Sequence, residues 1–324
     1  LSFYGQVEEN GPLRYGALGH AITDADTQQI LTLSRGELME ADVVDVRKGQ
    51  AGVPGELKGS FLREHRVLGN IRLNNQFGII RMRASMQTAI YFLLVTVCPK
   101  MHYLYTGDII ALGFLISIYF LFKSYQQTQA AGYLFYSFFF IGAGSILFPQ
   151  FTILSVLWLL EAYRFQSLTP RSFCGALLGW MLPYWMLFGH AFFYNEMELF
   201  YRPFNQLLTI GEFFNLQILQ PWELAILGYL LVMFIVSAVH CIAAGFEDKI
   251  RTRAYLQFLI DLTIFLFLLI ALQPIYCSAL LPLLIISNSI LIGHFFVLTN
   301  SKSSNVFFII SLVGLILLFA FNIW

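Results

Sequence analysis

From Arg81 onward the chain alternates between long apolar runs and short polar gaps. Nine apolar segments can be laid out, at about 86–98, 109–122, 131–148, 151–163, 173–194, 223–245, 254–272, 275–298 and 305–324. A helix that crosses a bilayer needs about 20 apolar residues, with a range near 17–25. The fifth to ninth segments meet that length. The first, second and fourth are only about 13 or 14 residues long, so they must borrow flanking polar residues, tilt in the protein interior, or re-enter. Pro99, Pro149, Pro183, Pro274 and Pro282 fall at segment ends or inside segments, where they favour breaks and kinks. The expected fold is an all-α polytopic membrane protein with about nine transmembrane or partly re-entrant helices.

Charge sorts with this pattern. Nine of the 11 basic residues after position 80 fall in alternate gaps: Arg81, Arg83, Lys123, Arg164, Arg171, Lys249, Arg251, Arg253 and Lys302. The other gaps hold only Lys100 and Arg202. Cytoplasmic loops of membrane proteins retain Lys and Arg in this way. The sorting works only if all nine segments cross, which predicts cytoplasmic residues before Met86 and an outside C-terminus at Trp324. Composition agrees: 58% hydrophobic, 17% aromatic, 12% charged, mean hydropathy +0.69. An ordinary globular domain carries about 25% charged residues. Zero net charge offers no basic surface for nucleic acid. Cys98, Cys174, Cys241 and Cys277 stand singly in or beside apolar runs, without metal-ligand spacing, and read as buried free thiols.

The chain divides near residue 80. Residues 1–80 hold 18 charged side chains, 11 glycines and five aromatics, whereas residues 81–324 hold 20 charged side chains and 49 aromatics. The first part contains no apolar run that could span a bilayer, and its Gly-rich tract from Gly49 to Gly59 reads as loop. One reading is a poorly structured cytoplasmic extension. The other is an incomplete or frame-shifted reading of a longer gene, suggested by the opening Leu and by the change of character around Leu73, Asn74 and Asn75.

Candidate chemistry is sparse. The connection at 195–222 is the longest outward gap, and long ordered loops are often functional. Its start is amphipathic at helical spacing. Phe193, Met197, Phe200 and Phe204 form one stripe, while Asn195, Glu198, Arg202 and Asn205 form the other. That suits a helix lying in the membrane interface, and it also suits a lid presenting Glu196 or Glu198 to a substrate. Glu198 and Arg202 are spaced for an ion pair. His190 stands just before this loop. Asp261 lies inside the seventh segment, where an ionised carboxylate costs about 2.5–3.5 kcal/mol on insertion scales, and it calls for a partner such as His240 or His294. Glu161 is placed to pair with Arg164. Asp108, in the first outward gap with His102, reads either as a general base or as the cap of the following helix. The small residues from Ile141 to Ser145 point to close helix packing. No phosphate-binding loop, dinucleotide fingerprint or metal-binding motif appears in the membrane part, and no cofactor is indicated.

Residues 80–87 (IRMRASMQ), 96–99 (TVCP), 121–128 (LFKSYQQT), 148–151 (FPQF), 168–173 (LTPRSF) and 182–193 (LPYWMLFGHAFF) resemble an uncharacterised family of multispanning bacterial inner-membrane proteins. The resemblance covers about residues 74–324 and implies no activity. More distantly, the rhythm is similar to the glycosyltransferase-C class, which uses polyprenyl-phosphate-linked sugars. That resemblance implies Asp108, Glu196 and Glu198 as acids, with Arg202 as a phosphate contact. The competing expectation is a non-catalytic membrane protein, either a transporter-like carrier using Asp261 or an assembly subunit.

Overall fold

A computed structural model describes residues 66–67, 69–71, 73, 76–77, 85–98, 106–208, 214–243, 245, 248–299 and 302–323. The expectations for residues 1–65, and for Arg81, Arg83, Lys100 and His102, lie outside those residues. Among the described residues every regular element is helical. In chain order the helices are α1 (Ser85–Val97), α2 (Thr106–Lys123), α3 (Ala131–Leu147), α4 (Leu154–Arg164) and α5 (Pro170–Phe193). They continue as α6 (Met197–Leu208), α7 (Pro221–Ala243), α8 (Ile250–Leu272), α9 (Cys277–Leu298) and α10 (Lys302–Ile323). Each of the nine apolar segments has its helix, and α6 is the amphipathic start of the long loop. Nine crossings, however, is more than the helices support. Five are long and apolar enough to cross a membrane: Pro170–Phe193, Pro221–Ala243, Ile250–Leu272, Pro274–Leu298 and Asn305–Asn322. Of the other four, α1, α3 and α4 have only 13, 17 and 11 residues, and α2, with 18, carries Asp108 and Lys123 at its two ends.

The outer surface is apolar, as a lipid-facing surface must be. Trp185, Met186 and Phe193 on α5 are 73%, 65% and 81% exposed, and α10 exposes Ile309, Ile310 and Leu317. Patches of this extent are rare on soluble monomers. Such helices are compatible with a multi-pass protein in contact with a bilayer.

The two ends of the bundle differ. At one end, the Gln126 amide donates to the Phe165 carbonyl (3.0 Å), and the Tyr255 hydroxyl donates to the Phe122 carbonyl (3.0 Å). Lys123, Arg164 and Arg251 therefore gather at this basic end. At the far end, the Phe148 and Tyr276 rings meet at 5.2 Å, and Asn322 donates to the Val97 carbonyl (2.6 Å). The basic gaps that hold Lys123, Arg164 and Arg251 thus converge in space.

Residues 66–77, described at eight positions and helical at each, run beside α2 from end to end. Arg66 meets Asp108 at the start of α2, and Phe77 packs edge-on against Tyr119 and Phe122 at its finish. This part of the chain before residue 80 belongs to the same compact unit as the helices, which extends from Gly55 to Trp324.

Small residues set the tightest helix contact. Thr169 caps α5 through a reciprocal pair of hydrogen bonds with Ser172, and Pro170 occupies the first turn, where its missing N–H costs nothing. Gly175 and Gly179 then lay α5 directly on α3. A Cβ at Gly175 would sit 2.9 Å from the Ala131 carbonyl oxygen, and one at Gly179 would strike the Phe135 carbonyl oxygen. From the opposite side, Gly142 backs onto the Trp180 carbonyl and Pro183. The small-residue patch at 141–145 therefore serves packing, as its composition suggests. Because the obstruction is backbone, a side chain cannot swing clear of it. Gly179→Val is expected to lower stability by about 1–3 kcal/mol or more, read as a lower melting temperature in detergent. Gly189→Val on the same helix, with open space around it, should leave the melting temperature nearly unchanged. Equal behaviour of the two variants would contradict this packing.

Candidate functional site

The centre of the molecule is α9. It packs on α1, α2, α7 and α8. Its most apolar stretch is 78% buried, whereas that of α10 is 11% buried. A helix in this position has no reason to carry polar side chains unless they have partners or a task, because each unsatisfied polar group in an apolar interior is costly. Yet α9 is interrupted by Ser278, by Ser287, Asn288 and Ser289 in succession, and by His294.

Three of these positions, Ser278, Ser289 and His294, meet polar groups from other parts of the bundle at successive depths. At the far end the Ser278 hydroxyl donates to Glu223 Oε1 (3.1 Å), while Glu223 Oε2 accepts from the Gln220 amide (3.0 Å). Glu223 is thus both the N-terminal cap partner of α7 and a buried carboxylate against α9. Beside the next turn, Gly107 lies against Ala279 and Pro282, and a Cβ there would be 3.2 Å from the Ala279 oxygen. That close approach brings Asp108 to α9. Asp108 is 3% exposed and pairs at 2.7 Å with Arg66, which is fully buried. Pro282 has no N–H, so it cannot donate to the carbonyl of Ser278, four residues earlier.

One turn past Arg66, Asn70 enters the middle of the bundle. Gln87 donates to Asn70 Oδ1 (2.6 Å), and Asn70 Nδ2 donates to Ser289 Oγ (3.3 Å). Asn288, adjacent, has no solvent exposure, and among the described residues neither its amide oxygen nor its amide nitrogen has a hydrogen-bond partner. Gln87 Oε1 and Ser237 Oγ on α7 are buried and unpartnered in the same way. Near the basic end His294, 1% exposed, is held between two helices' contributions. Its Nε2 is 3.2 Å from Asp248 Oδ2, and its Nδ1 is 3.5 Å from Cys241 Sγ. An imidazole held between a carboxylate and a thiol can take a proton on one nitrogen and release one from the other.

The residues that the sequence singled out lie mostly elsewhere. Asp108 alone joins the α9 line, and it does so as the partner of Arg66. Asp261 pairs with Arg164, which also binds Glu161 at 2.8 Å, and accepts from Gln257 (3.2 Å). The histidine partners expected for Asp261 are therefore replaced by an arginine. His294 takes Asp248 instead, and His240 lies 3.5 Å from Thr299. The side chain of Asp261 is 27% exposed, so it sits at the edge of the bundle and off its axis. Glu196, Glu198 and Arg202 are exposed around α6, and His190 is exposed with its ring 4.6 Å from that of Tyr194. Among the described ion pairs none joins Glu198 to Arg202. All four cysteines are free, but Cys174 is exposed on α5, unlike the other three. The groups missed in the sequence are Arg66, Asn70, Gln87, Asn288 and the Cys241–His294–Asp248 cluster. The run Ser287-Asn288-Ser289 inside an apolar segment was their one visible signal. Among the described residues no group of His, Cys, Asp and Glu is arranged to hold a metal ion.

Comparison with known proteins gives one finding. The family model of the SpoIVB peptidase S55 matches residues 1–103. The match covers about a third of the chain and crosses the composition break near residue 80. No curated protein and no solved structure matches. The resemblance to an uncharacterised inner-membrane family and to the glycosyltransferase-C class is thereby corrected: the family that matches is a different one. The error has a physical source. Short apolar crossings with basic turns follow from bilayer insertion itself, so they recur in unrelated membrane proteins.

Proposed function

We propose that the protein is a transporter-like membrane carrier, non-catalytic, whose path follows α9. The observation that carries this reading is Asn288: both polar atoms of a fully buried amide at the middle of the central helix lack partners among the described residues. Leaving such groups unmade costs about 1–3 kcal/mol each. A purely structural core would replace them with Leu. A core that hands protons or a small polar solute from one group to the next needs them. Titratable groups flank Asn288 on both sides, with Asp108 and Glu223 toward the far end and His294 and Asp248 toward the basic end. Ionisable residues inside a bundle mark such pathways. The test is potential-driven proton uptake into proteoliposomes that enclose a pH-sensitive dye. Uptake above that of protein-free vesicles is expected, and none above that background would overturn the reading.

A second reading rests on the family match. The matched family is named for a peptidase, and residues 1–103 could lend the membrane part a proteolytic segment. In that case the purified full-length chain hydrolyses an unstructured protein substrate such as casein. A truncation lacking residues 1–65 does not. Equal rates for the two chains, or no hydrolysis by either, would remove this reading.

A further inference from the structure

At the basic end, away from the α9 line, an open cavity of about 400 Å³ is lined by Tyr125, Gln126, Gln127, Ile250 and Arg251. We infer that it binds a phosphate-bearing anion, with Arg251 as the principal contact. The guanidinium is held in place before any ligand arrives. Its carbon lies 5.8, 5.9 and 5.5 Å from the ring centres of Phe77, Tyr125 and Tyr255. Its Nε donates to the Tyr255 hydroxyl (2.6 Å), which in turn donates to the Phe122 carbonyl (3.0 Å). Tyr255 is itself fully buried. The rings and the Nε bond fix the plane of the guanidinium, so the Nη edge needs little ordering on binding. Planar, bidentate recognition of phosphate is what such a preset fork does best.

Arg251 is the one charged side chain in the cavity lining. Among the described residues no carboxylate pairs with Arg251, while Lys123 and Lys249 sit at the same end. The nearby Asp248 and Asp261 are engaged with His294 and Arg164. Gln126 and Gln127 add amide donors, and Gln126 is presented by a left-handed backbone (φ 52°) in the tight turn after α2. A neutral sugar or an amine would find a poor match here: the charge is wrong for the amine, and among the described lining residues no carboxylate is present to accept from sugar hydroxyls. The shared chemistry is a terminal phosphate with unblocked oxygens, which a phosphatidic acid headgroup or a soluble phosphate could supply and the diester of phosphatidylcholine does not.

The full-length protein in nanodiscs separates these sources. In one arm, phosphatidic acid is mixed into a phosphatidylcholine bilayer, and lipid retained after extraction is counted by native mass spectrometry. In the other, inorganic phosphate is titrated onto protein in pure phosphatidylcholine discs, with the melting temperature as readout. Arg251→Gln is expected to weaken retention or binding roughly tenfold, the size of one lost charge-assisted contact. Arg171→Gln, an exposed arginine in another gap at the same end, should leave it unchanged. Because Arg251 packs on three rings, Gln127→Glu gives an independent variant that neutralises the charge of the cavity lining and leaves the rings in place, and it should weaken binding at least as much. Preferential retention of phosphatidic acid identifies a headgroup site, and saturable phosphate binding identifies a soluble ligand. Equal behaviour of wild type, Arg251→Gln and Gln127→Glu in both arms would overturn the proposal.

Discussion

Replacing Arg66 with Leu is expected to destabilise the protein by about 3–5 kcal/mol, the usual cost of stranding one partner of a buried ion pair. Asp108 would remain 3% exposed at the start of α2, with its countercharge gone. The helix start offers some compensation, since a carboxylate in the first turn is favoured by the helix dipole by about 0.3–1 kcal/mol. That is several-fold less than the desolvation cost, so the loss dominates. Removing both charges should behave differently. Arg66→Leu with Asp108→Leu leaves an apolar contact and no orphaned charge, and buried pairs exchanged for well-packed apolar residues are often neutral in stability. The double variant is therefore expected to melt well above the single variant in detergent. A double variant no more stable than Arg66→Leu alone would show that the pair is not the coupled, buried contact described above.

Much of the fold was legible because membrane insertion writes simple rules into a sequence. Every apolar segment became a helix, and the basic gaps that hold Lys123, Arg164 and Arg251 came together at one end. The five helices long enough to cross are the fifth to ninth apolar segments, whose spanning length is already visible in the sequence; the count of nine rests on the charge sorting instead. Pro149 and the five-residue 3-10 turn it starts shorten α4. The segment 66–77 was hidden for a different reason. Arg66, Asn70 and Arg72 make it look solvent-exposed, yet Arg66 and Asn70 are buried against partners more than 40 and 200 residues away in sequence. Charge in isolation suggests water, whereas charge with a distant partner can be interior. Asp261 failed in the opposite sense. Its cost in a membrane rightly demanded a partner, but the nearest cation comes from α4, and no periodicity along α8 reveals that. The conspicuous acids of the long loop, Glu196 and Glu198, stand out in composition only because the rest of the chain is so apolar.

Asn288→Leu is the variant with the largest expected effect on function. Leu occupies a similar volume, removes both unpartnered polar atoms, and is a good helix former at a fully buried position. If Asn288 were merely structural, the substitution would be neutral or stabilising, since an unsatisfied amide costs about 1–3 kcal/mol. If it bridges the Asp108 side of the path to the His294 side, the same substitution breaks the relay midway. The expected result is a protein that melts no lower than wild type and moves at least tenfold less charge. Stability and transport then shift in opposite directions, which a general folding defect cannot imitate. His294→Phe should also stop transport, but it removes a partner of buried Asp248 and lowers stability as well, so it discriminates less.

The most direct measurement is therefore potential-driven proton uptake by wild type and Asn288→Leu, reconstituted at equal density into dye-loaded vesicles. The α9 path predicts clear uptake by wild type and near-background uptake by Asn288→Leu, with both proteins folded. Uptake that is equal in the two, or indistinguishable from empty vesicles in both, would contradict it.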